Sequence, residues 1–104
     1  MHAIQIEQTG GPEVMSWTEV DDPSAGAGQL VVDVGAAGLN YIDTYQRSGL
    51  YAVDLPYVLG LEGAGTVVEV GPGVEHVHVG DRVAWATCPG SYAERVAVPA
   101  SSVM

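Results

Sequence analysis

The stretch "GLNYIDTYQRSGLY" at 38–51 holds the densest chemistry in the chain: three tyrosines, Asn40, Asp43 and Arg47, among neighbours that are mostly valine, alanine and glycine. Part of it follows from local rules. Asn40 suits a helix N-cap, and Asp43 falls at N3, where a carboxylate reaches back to free N–H groups. Asp43 and Arg47 stand i, i+4 with the acid first, the favourable order for an ion pair. Gly49 supplies the stop. These signals predict one short helix near 40–48. They leave the tyrosines unexplained. Tyr41 and Tyr45 share a helix face, and Tyr51 follows the stop. One reading is aromatic packing with hydroxyls in water. The other is a mouth of rings and polar tips suited to a flat aromatic ligand.

Other signals are weaker. "GAGTVV" at 63–68 and "GPGVEH" at 71–76 do not complete G-x-G-x-x-G and run into β-branched residues rather than a helix, so turn glycines account for them. His76 and His78 stand two apart, which on a strand gives one face; no third ligand pattern supports a metal there, and a polar outer face is the simpler account. Cys88 has no adjacent basic residue to lower its pKa and reads as a structural thiol. "GDRV" at 80–83 reads as turn chemistry, with Asp81 accepting from nearby N–H groups.

The elements that must position these residues are short strands. "HAIQIEQ" alternates, with Ile4 and Ile6 opposite Gln5 and Glu7. "EVMSWTEV", "QLVVDVGAAGL", "GTVVEVG", "DRVAWAT" and "SYAERVAVPA" read as further strands. "VDLPYVLGLEG" reads as an irregular connection, because Pro56 is excluded from a central strand. Six or seven strands punctuated by glycine and proline predict a mainly β fold, a barrel or sandwich with one small helix.

The totals bound the rest. A chain of 104 residues is one small domain. Three Lys+Arg against 13 Asp+Glu give a net charge of −10, which argues against nucleic acid and anionic membrane surfaces as partners. A single cysteine makes no internal disulfide and fits a reducing compartment. The N-terminus lacks the pattern of a signal peptide, and no apolar run is long enough to span a membrane, so the expected location is cytoplasmic.

Several phrases together resemble the N-terminal domain of the medium-chain dehydrogenase/reductase superfamily, in its zinc-free NADPH:quinone oxidoreductase (zeta-crystallin-like) branch. They are "GGPEV" at 10–14, "AAGLNYIDTYQRSGLY" at 36–51, "LPYVLGLEGAGTVVEVGPGV" at 55–74, "VGDRVAW" at 79–85 and "GSYAERVAVPA" at 90–100. The resemblance covers essentially the whole chain and implies a GroES-like fold, a partly open β-barrel over 1–104. It also implies a Rossmann nucleotide-binding domain that is absent from these residues, with the active site in the cleft between the two.

By the same resemblance, Asn40 and Leu61 stand where zinc-dependent members carry a cysteine and a histidine. Leucine cannot ligate zinc and an amide oxygen is a poor donor, so a zinc-free reductase is implied. Asn40, Asp43, Tyr45 and Tyr51 would line the cleft. Tyr45 and Asn40 would meet NADPH, and Tyr51 the quinone. Arg47 is expected to pair with Asp43. The implied activity is hydride transfer from NADPH to a small planar quinone, with the 104-residue chain inactive alone. Alternatives are an enoyl or alkenal reductase of the same superfamily, or a non-catalytic GroES-like binding or assembly domain. A cleft face lacking its cover predicts a homodimer.

Overall fold

The spine of the fold is the strand Gln29–Ala37 (β3), in a computed structural model that describes all residues from Met1 to Met104. Leu30, Val31 and Val32 are buried in succession, so this strand is covered on both faces where it crosses the middle of the molecule. It pairs antiparallel with Gly63–Val70 (β5) on one side and Arg95–Pro99 (β7) on the other. Arg82–Trp85 (β6) completes this sheet in the order β6-β5-β3-β7. Irregularities at Val31/Val32 and Val34/Ala36 bend β3, as bulges do.

A second antiparallel sheet has the order β2-β1-β4, from His2–Ile6 (β1), Ser16–Glu19 (β2) and Tyr57–Val58 (β4). The sheets meet where Ala3 bridges Ala93 and the Ile4 N–H donates to Tyr92 O at 2.7 Å. The ladder goes no further, so the GroES-like fold is two sheets and not a closed barrel.

The main core lies against the four-stranded sheet: Leu30, Val32, Val67, Val77, Val83, Trp85, Val96, Val98 and Ala100. Each fully buried Val or Leu contributes roughly 1.5–3 kcal/mol. Val83 and Trp85 share the inner face, as their spacing requires. Only 18 of 104 residues are buried, so the core is thin.

Three local expectations differ from the structure. Pro12–Val14 is a 3-10 turn, so the strand predicted from Glu13 begins only at Ser16; the proline ring suits the first position of a helical turn. In β1 the buried residues are Ala3 and Ile6, with Ile4 half-buried; residues of opposite parity are buried, so both faces of this central strand are covered in part. His76 and His78 lie exposed in a loop on either side of the buried Val77, not on a strand face.

The helix Tyr41–Ser48 (α1) follows β3, with Asn40 extended at the N-cap and Gly49 left-handed at φ +91° just after its end. "VDLPYVLGLEG" contributes the two-residue edge strand β4 just after Pro56, a place where a missing N–H is tolerated.

Candidate active site

Helix α1 turns two polar side chains inward and its two rings outward. The buried residues are Asp43, 3% exposed, and Gln46. Tyr41, Tyr45 and, beyond the helix, Leu50 and Tyr51 are exposed. This reverses the usual amphipathic arrangement, in which the apolar stripe faces the core.

The inward face is held by hydrogen bonds. Asp43 Oδ2 accepts the Asn40 N–H at 3.0 Å, the back-reaching bond of an N3 carboxylate. The same oxygen accepts the Tyr92 hydroxyl at 2.6 Å. Asp43 Oδ1 is buried with no partner. One turn on, Gln46 Oε1 accepts the Tyr57 hydroxyl at 3.4 Å. Burial pushes the Tyr92 phenol well above the usual tyrosine range, and the hydrogen bond to Asp43 and the charges of Asp43 and Glu62 push it further. Burial also raises Tyr57. Both phenols therefore remain protonated donors.

The outward face carries the predicted rings. Tyr45 and Tyr51 meet edge to face, with centroids 5.5 Å apart and an interplanar angle of 81°. The Tyr51 N–H donates to Tyr45 O at 3.2 Å, which fixes the backbone between them. Tyr41 is 82% exposed and stands outside this pair.

The structure thus brings together Asn40 with Asp43, and Tyr45 with Tyr51. Asp43 faces the interior of the domain instead of its surface. Arg47 does not pair with Asp43: its Nε donates to Gly10 O at 3.2 Å, and the Gly10 N–H returns a bond to Arg47 O at 2.9 Å. Burial under the helix turns the carboxylate toward Tyr92, while the guanidinium pins the "TGG" turn to the last helical turn.

Beside the helix, the Gly38 N–H donates to Glu62 O at 3.1 Å. The Glu62 side chain crosses so near Gly38 that a methyl group there would lie 1.8 Å from Glu62 Oε1. A cavity of about 350 Å³ opens between Gly38, Glu62 and Trp85. A wider one, about 960 Å³, runs over the sheet past Asp33, Gly35, Gly65 and Arg82. Neither includes Asn40, which is half-buried, or Tyr45 and Tyr51, which are exposed. Cys88 is half-buried, and burial raises its thiol, as expected of a structural cysteine. No three His, Cys, Asp or Glu side chains converge anywhere in the fold.

Residues 26–104 match the alcohol dehydrogenase GroES-like domain. The chain belongs to that family. The domain is 50% identical over 93 residues to a quinone oxidoreductase of Pseudomonas aeruginosa, covering 88% of this chain and 29% of the relative. It is 39% identical over 107 residues to a 2-haloacrylate reductase of a Burkholderia species, covering 98% of this chain and 32% of the relative. It superposes on the quinone oxidoreductase of Escherichia coli, solved in complex with NADPH, with a TM-score of 0.97 and 39% identity over 100% of this chain and 32% of that one. The domain spans about a third of the length of these proteins.

Sequence reasoning did not single out Tyr57, Tyr92 and Gln46. Tyr92 lies inside a phrase that marks the family, yet its partner Asp43 is 49 residues away in sequence. No local spacing announces such a pair.

Proposed function

We propose that the domain is the substrate-side half of a zinc-independent, NADPH-dependent quinone reductase, working with a Rossmann nucleotide-binding domain. The observation that carries this reading is the exposed Tyr45–Tyr51 pair at the end of the helix that Asn40 caps, a helix that turns Asp43 and Gln46 inward. Rings left in water on a helix that buries a carboxylate fit a surface meant to be covered by a planar ligand and a second domain.

In this reading the reduced nicotinamide supplies the hydride. Tyr45 braces the cofactor side and Tyr51 offers a ring face and hydroxyl to the quinone. Asn40 offers its amide N–H to a quinone oxygen. The domain has a surface for the nicotinamide end of the cofactor and no glycine-rich phosphate cradle, so the phosphates fall to the partner domain. The metal-free character rests on the donor types at Asn40 and Leu61. The work of these side chains is to hold two flat partners in contact and exclude water.

The names of the relatives support oxidoreduction at this site. The 2-haloacrylate reductase favours a second reading, reduction of an activated carbon–carbon double bond, which needs the same surface with an enone in place of the quinone.

The test is NADPH consumption by the full-length protein with 1,4-benzoquinone and, separately, with a simple enone. Tyr51→Ala is expected to lower kcat/KM about tenfold, equivalent to ~1.4 kcal/mol of transition-state stabilisation. Tyr45→Phe is expected to act more weakly. Unchanged kinetics in Tyr45→Ala and Tyr51→Ala would remove the rings from the site. Consumption with neither acceptor would overturn the reaction class.

A further inference from the structure

Asp43 is a carboxylate with 3% exposure, two donors on one oxygen and none on the other. An arrangement of this kind costs stability, because a buried charge repays its desolvation only when its lone pairs are satisfied. Packing alone would be served as well by an apolar side chain. The arrangement has to be explained by what it holds in place.

We infer that Tyr92 is a positioning residue for the site, acting through Asp43 to set the place of Asn40 and of the ring face of α1. The inference deepens the reductase reading and rests on it. Tyr92 is itself held on three sides. Its N–H donates to Leu59 O at 3.0 Å, and its carbonyl accepts the Ile4 N–H at 2.7 Å. Its ring passes over Gly60 so closely that a methyl group there would lie 2.6 Å from Tyr92 Cδ1 and 2.2 Å from Ser91 Oγ. Gly60 also has φ +96°, which an L side chain rarely adopts. The phenol is therefore projected from the junction of the two sheets, a rigid point.

From there the bond reaches the N-terminus of α1. The single oxygen Asp43 Oδ2 serves both the Tyr92 O–H and the Asn40 N–H. Removing the phenol leaves a buried carboxylate with one donor, so the group must turn or take up water. Either change alters the only acceptor of the Asn40 N–H. Helix α1 has few other ties to the sheets: the Arg47–Gly10 bonds at its far end and the Gln46–Tyr57 contact one turn on. The Asn40 N–H at its N-cap depends on Asp43 and hence on Tyr92.

The experiment is amide hydrogen exchange by NMR on the 104-residue chain, wild type against Tyr92→Phe. The Asn40 amide is the reporter. The Val67 amide, bonded to Asp81 O at 2.9 Å, is the core reference. Exchange at Asn40 is expected to speed up about tenfold, with Val67 within about twofold, because the opening is local. Equal acceleration at both sites, or none at Asn40, would overturn the inference; the first marks a bond that only adds global stability. If Tyr92→Phe does not fold, Asp43→Asn keeps the shape and an acceptor oxygen. It is expected to loosen Asn40 selectively by a smaller factor, and an unchanged Asn40 would equally overturn the proposal. In the full-length protein, Tyr92→Phe is expected to lower kcat for benzoquinone about tenfold with KM little changed. Indistinguishable kinetics in an active enzyme would overturn it as well. A wild type that reduces no quinone would sink the reductase reading alone, since the exchange measurement decides the positioning without turnover.

Discussion

The tyrosines divide by where their hydroxyls go. Tyr57 and Tyr92 donate inward to Gln46 and Asp43, while Tyr45 and Tyr51 pair through their rings on the exposed side. The inward pair has a consequence at high pH. The folded state raises the Tyr92 phenol above its ordinary value of 10.0, first by burial and then through Asp43. The unfolded chain therefore releases this proton at lower pH than the folded one. Stability tied to the group is fully present below about pH 10 and is lost as pH rises beyond it. Urea midpoints measured from roughly pH 9 to 11 are expected to fall less steeply in Tyr92→Phe than in the wild type. Parallel slopes would show that the phenol titrates alike in both states. None of this could be read from residues 38–51. Asn40, Asp43, Tyr45 and Tyr51 were legible as a group by type and spacing. The inward turn of Asp43 was not, because its second donor comes from the far end of the chain.

At the scale of elements, the helix and its limits were the most legible feature. An N-cap asparagine, an acid at N3 and a glycine after the last turn describe Tyr41–Ser48 almost to the residue. Gly49→Ala places a side chain at φ +91° beside Thr9, with its methyl 3.2 Å from Thr9 Oγ1. A loss of about 1 kcal/mol is expected, read as a lower denaturant midpoint at constant m. Gly60→Ala is expected to cost clearly more, since the same backbone penalty is joined by overlap with Ser91 and Tyr92. Equal losses would mean that the segment around Tyr92 yields easily. The strands were legible from β-branched runs between turn residues. The spacing of Val83 and Trp85 placed them on one face because side chains two apart on a strand point the same way, and only that face of β6 is buried. The alternation failed at β1 and β3, which are covered on both sides. There burial follows neighbours brought from elsewhere in the chain, and a period of two no longer marks it.

At the scale of the whole molecule, the exposed face is unusual for a small domain. Leu39, Tyr41, Leu50 and Tyr51 are each more than half exposed within residues 39–51, and Tyr45 packs edge to face on Tyr51. No helix is long and apolar enough to cross a membrane. The 104-residue chain is expected to consume no NADPH alone and to self-associate through this face at high concentration. Light scattering follows the association, and Tyr45→Lys with Leu50→Lys should shift it toward monomer; a clean monomer in the wild type would count against a sticky face. By itself the sequence determined the strand-and-turn pattern, the one capped helix, the family and the donor types at Asn40 and Leu61, because these depend on residue chemistry and near-neighbour spacing. Only the tertiary structure decided that Arg47 ties to Gly10 and that Asp43 is held from below by Tyr92. Those contacts join segments far apart in sequence, and the chain must fold before either partner has a place.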